Sequence, residues 1–273
     1  MKEGHLKKMR TTLVAPVEYA LPIDDEFVAL NAYLGKTIKL TYLGEIHCSN
    51  CGKRTKKSYS QGFCYVCMRK LAQCDLCIMK PETCHYHLGT CREPQWGEQH
   101  CFQDHYVYLA NSSGLKVGIT RHTQVPTRWI DQGATQALPI FKVKTRLQSG
   151  QVEMALKKHV SDKTDWRKML KGQAEPKDLA QERDSLIKAA QNELSVIQSA
   201  NKEGDIELLT NAEQVDIQYP VLAYPEKVTS FNFDKTPEIE GTLMGIKGQY
   251  LILDNGVLNI RKFTSYRVQF NAE

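Results

Sequence analysis

Cys48-Ser-Asn-Cys51 and, after twelve intervening residues, Cys64-Tyr-Val-Cys67 are the two stretches that determine how this part of the chain folds. A C-x-x-C turn directs two thiolates to one point, and two such turns form the tetrahedral sulfur cage of a structural zinc site. Four thiolates leave no open position for water, so a catalytic zinc is not expected here. The sequence therefore predicts that Cys48, Cys51, Cys64 and Cys67 bind one structural zinc ion.

Only positive charge accompanies these cysteines, because no Asp or Glu occurs from Cys48 to Lys70. The whole chain is mildly basic, with a net charge of +5 and a pI near 8.6, so the local cluster is the more informative feature. A zinc-stapled hairpin that carries only positive charge indicates an anionic partner, and we expect nucleic acid. The residues expected to bind it are Lys53, Arg54, Lys56 and Lys57, together with Arg121.

All nine cysteines lie between Cys48 and Cys101, a local clustering that fits metal binding better than long-range disulfides. The N-terminus has a basic start but no apolar segment after it, so we expect no signal peptide. No stretch approaches the roughly 18 apolar residues that a membrane span needs. We therefore expect a cytoplasmic protein whose cysteines are reduced.

The remaining cysteines indicate a second zinc ion, for which several ligand sets are open. Cys74-Asp-Leu-Cys77 is a third C-x-x-C pair, and Cys84 with Cys91 completes an all-thiolate site. His87 in place of Cys91 gives three thiolates and one imidazole. Alternatively, Cys91 and Cys101 complete the pair and leave Cys84 aside. The ligand set we adopt is Cys74, Cys77, Cys84 and Cys91.

Apolar periodicity predicts an α+β protein with five segments. A β-rich N-terminal segment is followed by the cysteine-rich region, a compact strand and helix domain, a helical connector and a C-terminal β-meander, with expected boundaries of 1–46, 47–104, 105–172, 173–227 and 228–273. Because a few short strand pairs cannot bury a core alone, we expect the two terminal segments to pack together as one small barrel. We also expect helices from Ser149 or Gly150 to Val160, and from Asp178 to Ala200.

Segment 105–172 contains an ordered series of short motifs. They are Tyr106-Val-Tyr-Leu-Ala110 and Leu115-Lys-Val-Gly-Ile-Thr120, read as strands, then Thr127-Arg-Trp-Ile-Asp-Gln-Gly133 and Val152-Glu-Met-Ala-Leu-Lys157, read as helices. In this order the motifs resemble the GIY-YIG nuclease superfamily, particularly its phage-derived branch, over about residues 106–169. Cys84-His-Tyr-His87 and Cys91-Arg-Glu-Pro94 also make the chain resemble an uncharacterised bacterial family with a domain of unknown function.

The GIY-YIG resemblance implies a small mixed sheet flanked by helices that cuts phosphodiester bonds with one Mg or Mn ion. Tyr108 matches the first-motif tyrosine, a general base or proton relay for the attacking water, and Gly118 matches the second-motif glycine, which allows close backbone approach. Arg128 matches the arginine that binds the scissile phosphate, and Glu153 matches the acidic metal ligand. In-line attack on phosphorus needs such an activated oxygen, a cation and a metal ion.

The second motif departs from the family pattern, because Lys116 stands where the family has a tyrosine. Lys116, which we count among the catalytic candidates, or His122 could supply a replacement polar group. The departure leaves a second interpretation open, a zinc-dependent DNA- or RNA-binding protein with a degenerate nuclease fold. A third interpretation is a protein-interaction adaptor in which zinc only stabilises the fold.

Overall fold

The computed structural model describes residues 1–161 and 163–272. Several separate sheets are combined with short helices, so the chain is an α+β protein as expected. The strands are β1 (Lys2–His5), β2 (Arg10–Thr12), β3 (Glu18–Ile23), β4 (Glu26–Ala29), β5 (Thr37–Ile46), β6 (His105–Asn111), β7 (Leu115–Arg121), β8 (Gln136–Val143), β9 (Ile206–Leu208), β10 (Val215–Asp216), β11 (Glu238–Lys247), β12 (Tyr250–Leu253), β13 (Gly256–Asn259) and β14 (Tyr266–Ala272).

The helices are short and lie mainly in the middle of the chain. None of those within the two described ranges is long and apolar enough to cross a membrane. The α-helices are α1 (Tyr65–Lys70), α2 (Leu76–Met79), α3 (Pro94–Cys101), α4 (Thr127–Asp131), α5 (Arg146–Leu156), α6 (Trp166–Leu170), α7 (Leu179–Ala189) and α8 (Gln191–Ser199).

The two ends of the chain form one sheet with the strand order β1-β14-β5-β11-β12-β13. The expected association of the terminal segments is therefore present, since β5 pairs with β14 on one side and with β11 on the other. The expected barrel is wrong, because no described pairing joins β13 to β1. The free edge of β13 is covered instead by the loop that precedes β11, where the Phe231 N–H donates to the Val257 carbonyl at 2.9 Å.

The central sheet has the order β10-β8-β6-β7, and β9 also pairs with β8. Every strand pair is antiparallel, and the mixed sheet that the resemblance implies is reduced to one isolated parallel bridge between Lys116 and Ser161. Side chains of β6 alternate between two cores: Val107 packs with α5, α7 and α8, whereas Tyr108 packs with the terminal sheet. The central sheet is thus buried on both faces, which holds Tyr108 rigidly.

Two helix predictions need correction. The helix expected to start at Ser149 or Gly150 begins at Arg146, because Thr145 and Gln148 form a capping box at its N-terminus. The single helix expected from Asp178 to Ala200 is interrupted at Ala190 and forms α7 and α8, whose apolar faces cover the central sheet.

Candidate metal centre and catalytic cavity

Two tight turns bring the first four cysteines together. The Gly52 N–H donates to the Cys48 carbonyl at 2.9 Å, and Gly52 has a φ of +68°, a left-handed conformation that favours glycine. The second pair lies at the start of α1, where Cys64 is the N-cap residue and its sulfur accepts from the Cys67 N–H. Each C-x-x-C pair is therefore shaped by its own local backbone.

The four sulfur atoms of this cysteine cage lie within 4.8 Å of one another. The Cys51 and Cys64 sulfurs are 3.9 Å apart. A tetrahedral zinc with bonds of about 2.3 Å has sulfurs roughly 3.8 Å apart, so the observed spacing fits a zinc ion. Cys48 and Cys67 are buried while Cys51 is exposed, so the cage lies at the surface and is accessible to metal.

The pKa values of the cage thiols differ widely from one another. Burial raises the pKa of the Cys48 thiol, but backbone N–H groups outweigh it and lower that pKa to about 6. The Asn50 amide, which donates to the Cys67 sulfur at 3.4 Å, lowers the pKa of Cys67, whereas burial and the three neighbouring thiols raise it to about 12. One thiolate forms readily and the last one forms with difficulty, so a divalent cation is needed to deprotonate all four.

The structure brings together only part of the second ligand set predicted from the sequence. Cys77, Cys84 and Cys91 line one small cavity together with Cys101. Cys74 does not line it; its thiol lies near Ser60 and Arg92 instead. Cys74 is separated from the other three because its C-x-x-C segment consists of a 3-10 turn that ends at Cys74 and the beginning of α2.

The basic residues of the hairpin point into solvent. Lys53, Arg54, Lys56 and Lys57 are all exposed. The Lys57 ammonium lies 5.5 Å from the centre of the Tyr59 ring, and the Arg54 guanidinium donates to the Gly44 carbonyl at 3.3 Å. None of the four lines the cavity that contains Arg128, so they form a separate basic surface.

Tyr108 and Gly118 face each other across the central sheet, in register on β6 and β7. An ideal Cβ on Gly118 would lie 2.7 Å from the Tyr108 hydroxyl oxygen, which is closer than any side chain permits. The absence of a side chain at Gly118 therefore leaves room for the Tyr108 ring. Tyr108 is fully buried, and its hydroxyl has no hydrogen-bond partner within the described part of the chain. Burial raises the pKa of Tyr108, and the Arg128 guanidinium opposes that rise.

Arg128 and Glu153 line a common cavity of about 330 Å³ beside Gly118, which we call the catalytic cavity. Arg128 extends from α4, which Gly133 follows with a φ of +67°. Glu153 extends from the middle of α5, and its charge acts on Tyr108 together with that of Arg128. Arg128 and Glu153 thus share one cavity, whereas Tyr108 does not line it and packs behind Gly118, which does.

Positive charge dominates the walls of the catalytic cavity. Its basic lining residues are Lys8, Lys116, Arg121, Arg128, Arg146 and Arg261. Of these, the four arginines form no ion pair with any residue that the structure describes. Asp131 also lines the cavity, but it is paired with Lys8 and accepts from the Gln249 amide. The cavity has the charge of an anion-binding site.

Lys116 occupies the second-motif position on β7 and is buried to 4% exposure. Its ammonium donates to the Thr164 hydroxyl at 2.6 Å. His122, the other proposed replacement, is exposed and lies near the Asp104 carbonyl rather than in the catalytic cavity. Only Lys116 of these two residues is placed in the cavity wall.

Besides Arg128, three arginines line the cavity, and the sequence indicated their positions to different degrees. Arg121 was expected to bind nucleic acid and lies at the cavity. Arg146 lies before the helix expected from Ser149 or Gly150, although the Thr145-to-Gln148 spacing is a capping signal that makes it the first residue of α5. Arg261 comes from the terminal sheet, and its Nε donates to the Gln61 side chain of the cysteine hairpin at 2.6 Å. No local pattern could have indicated that contact.

These observations define an α+β protein with a four-cysteine cluster that fits a zinc ion. The family model described as "Protein of unknown function (DUF2797)" matches residues 35–268. The chain belongs to this family, so its resemblance to an uncharacterised family is confirmed. No curated protein and no solved structure matches the chain.

Proposed function

We propose that this protein hydrolyses phosphodiester bonds in nucleic acid through a GIY-YIG-like site in residues 105–172. The observation that carries the proposal is that Arg128 and Glu153 line one basic cavity and that Tyr108 packs directly behind its wall at Gly118, within electrostatic reach of both. These residues lie on β6, α4 and α5, and any one of them alone would be an ordinary core or surface residue. A hydroxyl, a guanidinium and a carboxylate around one pocket are the groups that in-line attack on a phosphate requires.

The proposed roles follow from position. The Tyr108 hydroxyl, which lacks a protein partner among the described residues, accepts or relays the proton of the attacking water. The Arg128 guanidinium binds the scissile phosphate with two parallel hydrogen bonds and stabilises the charge that develops on it. Lys116 is bonded to Thr164 and contributes positive charge from the wall.

Glu153 is the proposed ligand of a catalytic Mg or Mn ion. Mg²⁺ is commonly held by one or two carboxylates, substrate phosphate oxygens and waters, so one cavity carboxylate is a sufficient protein contribution. Asp131, the other carboxylate of the cavity, contacts Lys8 and Gln249 through its two oxygens. When bound, such an ion polarises the phosphate and stabilises the leaving oxygen.

Nucleic acid is the proposed partner because cations occur on two connected surfaces. The cavity arginines suit the phosphates next to the cleaved bond, and the exposed residues Lys53, Arg54, Lys56 and Lys57 suit phosphates further along. Arg261 connects the two regions through Gln61. In this proposal the zinc of the first cage holds the basic hairpin in shape. The nine free thiols suit the reducing cytoplasm.

The proposal is tested by incubating the protein with single-stranded, branched and duplex substrates and Mg²⁺ or Mn²⁺. We expect cleavage by the wild type and none by Glu153→Gln, which removes the charge but keeps the shape. Glu203→Gln, at an exposed position outside the catalytic cavity, is the matched control and should cleave normally. Wild-type protein that leaves every substrate intact with both metals contradicts the enzymatic proposal.

A second candidate function is nucleic-acid binding without cleavage. It is favoured by Lys116, since a lysine replaces the second-motif tyrosine and its amine is already bonded to Thr164. Neutralising Lys53, Arg54, Lys56 and Lys57 should then weaken binding and reduce its salt dependence, by about 0.9 in log–log slope for each lost duplex phosphate contact. Neutralising the exposed Lys188 and Lys202 is the control. Binding that the fourfold variant leaves undiminished excludes the hairpin surface as the binding site.

A further inference from the structure

A second set of four thiols lines one small cavity within the cysteine-rich region. Cys77 comes from α2, Cys84 follows the 3-10 turn Pro81–Thr83, Cys91 lies in the loop before α3, and Cys101 is the last residue of α3. All four line the same cavity of about 20 Å³. That volume accommodates about one water molecule or one ion.

The four thiols are close enough to influence one another. The charge of Cys77 interacts with those of Cys84, Cys91 and Cys101, and Cys101 interacts with Cys84 and Cys91 in turn. The remaining walls include the aromatic rings of Tyr86, Trp96 and Phe102, and also the side chains of Asp75 and His85. Tyr86 and Phe102 pack edge to face at 4.7 Å and close one side of the cavity.

We propose that Cys77, Cys84, Cys91 and Cys101 bind a second structural zinc ion. Thiolates are preferred ligands of zinc, and four of them form a closed tetrahedral site. Each thiol releases its proton to solvent as it binds, and no electron is transferred. The four sulfurs are not as closely spaced as in the first cage, so binding draws them inward onto the cavity.

One other ligand set competes with this assignment. Asp75, Cys77 and His85 have ligand atoms within 4.8 Å of one another. However, the Asp75 carboxylate already pairs with the Arg92 guanidinium at 2.6 Å. Three ligands of this kind also leave an open coordination position, whereas the four thiols leave none.

The second zinc would stabilise one wall of the catalytic cavity. Ile78, Met79 and Pro81 line that cavity, and they lie between the ligands Cys77 and Cys84. The Arg146 guanidinium donates to the Ile78 carbonyl. A Cβ on Gly150 would lie 2.6 Å from the Pro81 Cβ, so this wall is pressed directly against α5. Zinc would therefore connect α3 to the segment that positions Arg146.

The test is the zinc content of the purified full-length chain, measured by elemental mass spectrometry. We expect two zinc ions per wild-type chain, one in Cys101→Ser, and two in both Cys74→Ser and Asp75→Asn. Cys74→Ser is the matched control, because it removes a thiol that does not line the second cavity. The proposal is overturned if the wild type holds one zinc ion or if Cys101→Ser still holds two. It is also overturned if Asp75→Asn loses a zinc ion while Cys101→Ser loses none.

A second measurement covers the case in which Cys101→Ser does not fold. Wild-type protein loaded with Co²⁺ shows sulfur-to-metal charge-transfer absorption that grows with the number of bound thiolates. We expect twice the absorption of one four-thiolate site. Absorption that corresponds to a single such site contradicts the assignment without any variant. Neither measurement depends on nuclease activity, so the zinc site and the proposed function can fail independently.

Discussion

Replacing Gly118 by Ala tests the packing on which the catalytic proposal depends. The new Cβ would lie 2.7 Å from both the hydroxyl oxygen and the Cζ atom of Tyr108, whereas ordinary contact begins at 3.4 Å. One of the two strands or the Tyr108 ring must therefore move by at least about 0.7 Å, a distance set by the close packing of interiors. Because the ring is fully buried in the core that the central sheet shares with the terminal sheet, it cannot swing aside into solvent.

The expected loss follows from two opposing effects. Overpacking costs about 1–3 kcal/mol, and the lower chain entropy of Ala in the unfolded state offsets about 0.4–1 kcal/mol. We expect a net loss of roughly 1–2 kcal/mol in urea unfolding, or a melting temperature about 2–6 °C lower. Since a misplacement of about 1 Å can reduce catalysis about a hundredfold, cleavage should also fall by roughly tenfold to a hundredfold.

Gly172→Ala is the matched control, because no atom lies within 4 Å of its ideal Cβ and its φ is not in the left-handed region. It should leave stability unchanged or slightly higher. If Gly118→Ala is as stable as this control, Tyr108 does not pack against Gly118, and the proposed arrangement of the catalytic cavity is wrong.

Three further predictions concern the metal, a buried histidine and a buried tyrosine. Chelation of zinc should increase hydrogen exchange in residues 47–70 while β6 stays protected, and unchanged exchange would refute a structural role for the metal. Burial lowers the pKa of His105 to about 4, so its contribution to stability is complete above pH 6.5 and is lost as the pH falls towards 4. The free energy of unfolding should be about 2 kcal/mol lower at pH 5 than at neutral pH because of this histidine. His105→Gln should abolish this pH-dependent loss. The Tyr219 hydroxyl donates to the Ala134 carbonyl at 2.8 Å, so Tyr219→Phe should cost about 1 kcal/mol, and no change would argue against that bond.

Local sequence patterns predicted the features that depend on near neighbours. The first cysteine cage forms from two turns whose spacing alone brings the sulfurs together. The pairing of β6 with β7 also follows from adjacent motifs, since a short turn joins the two strands. In both cases few residues separate the groups that meet, so the pattern constrains the geometry.

Long-range pairing could not be predicted in the same way. The N-terminal and C-terminal strands form one open sheet, in which β14 and β11 pair with opposite edges of β5. Nothing in the sequences of these strands specifies that order. Cys101 reaches the second cavity only through the path of α3. Arg261 reaches the catalytic cavity from the terminal sheet, 133 positions beyond Arg128 in the printed sequence. Such contacts depend on tertiary packing rather than on periodicity.

The most direct measurement of the central claim compares wild type and Tyr108→Phe in stability and in metal-dependent cleavage. The Tyr108 hydroxyl is buried and unsatisfied within the described residues, so removing it should leave the free energy of unfolding unchanged or raise it by about 1 kcal/mol. Its proposed role in proton transfer predicts that cleavage is lost in the same variant. A Tyr108→Phe protein that is less stable yet cleaves as fast as wild type would show that this hydroxyl has a structural role and no catalytic one.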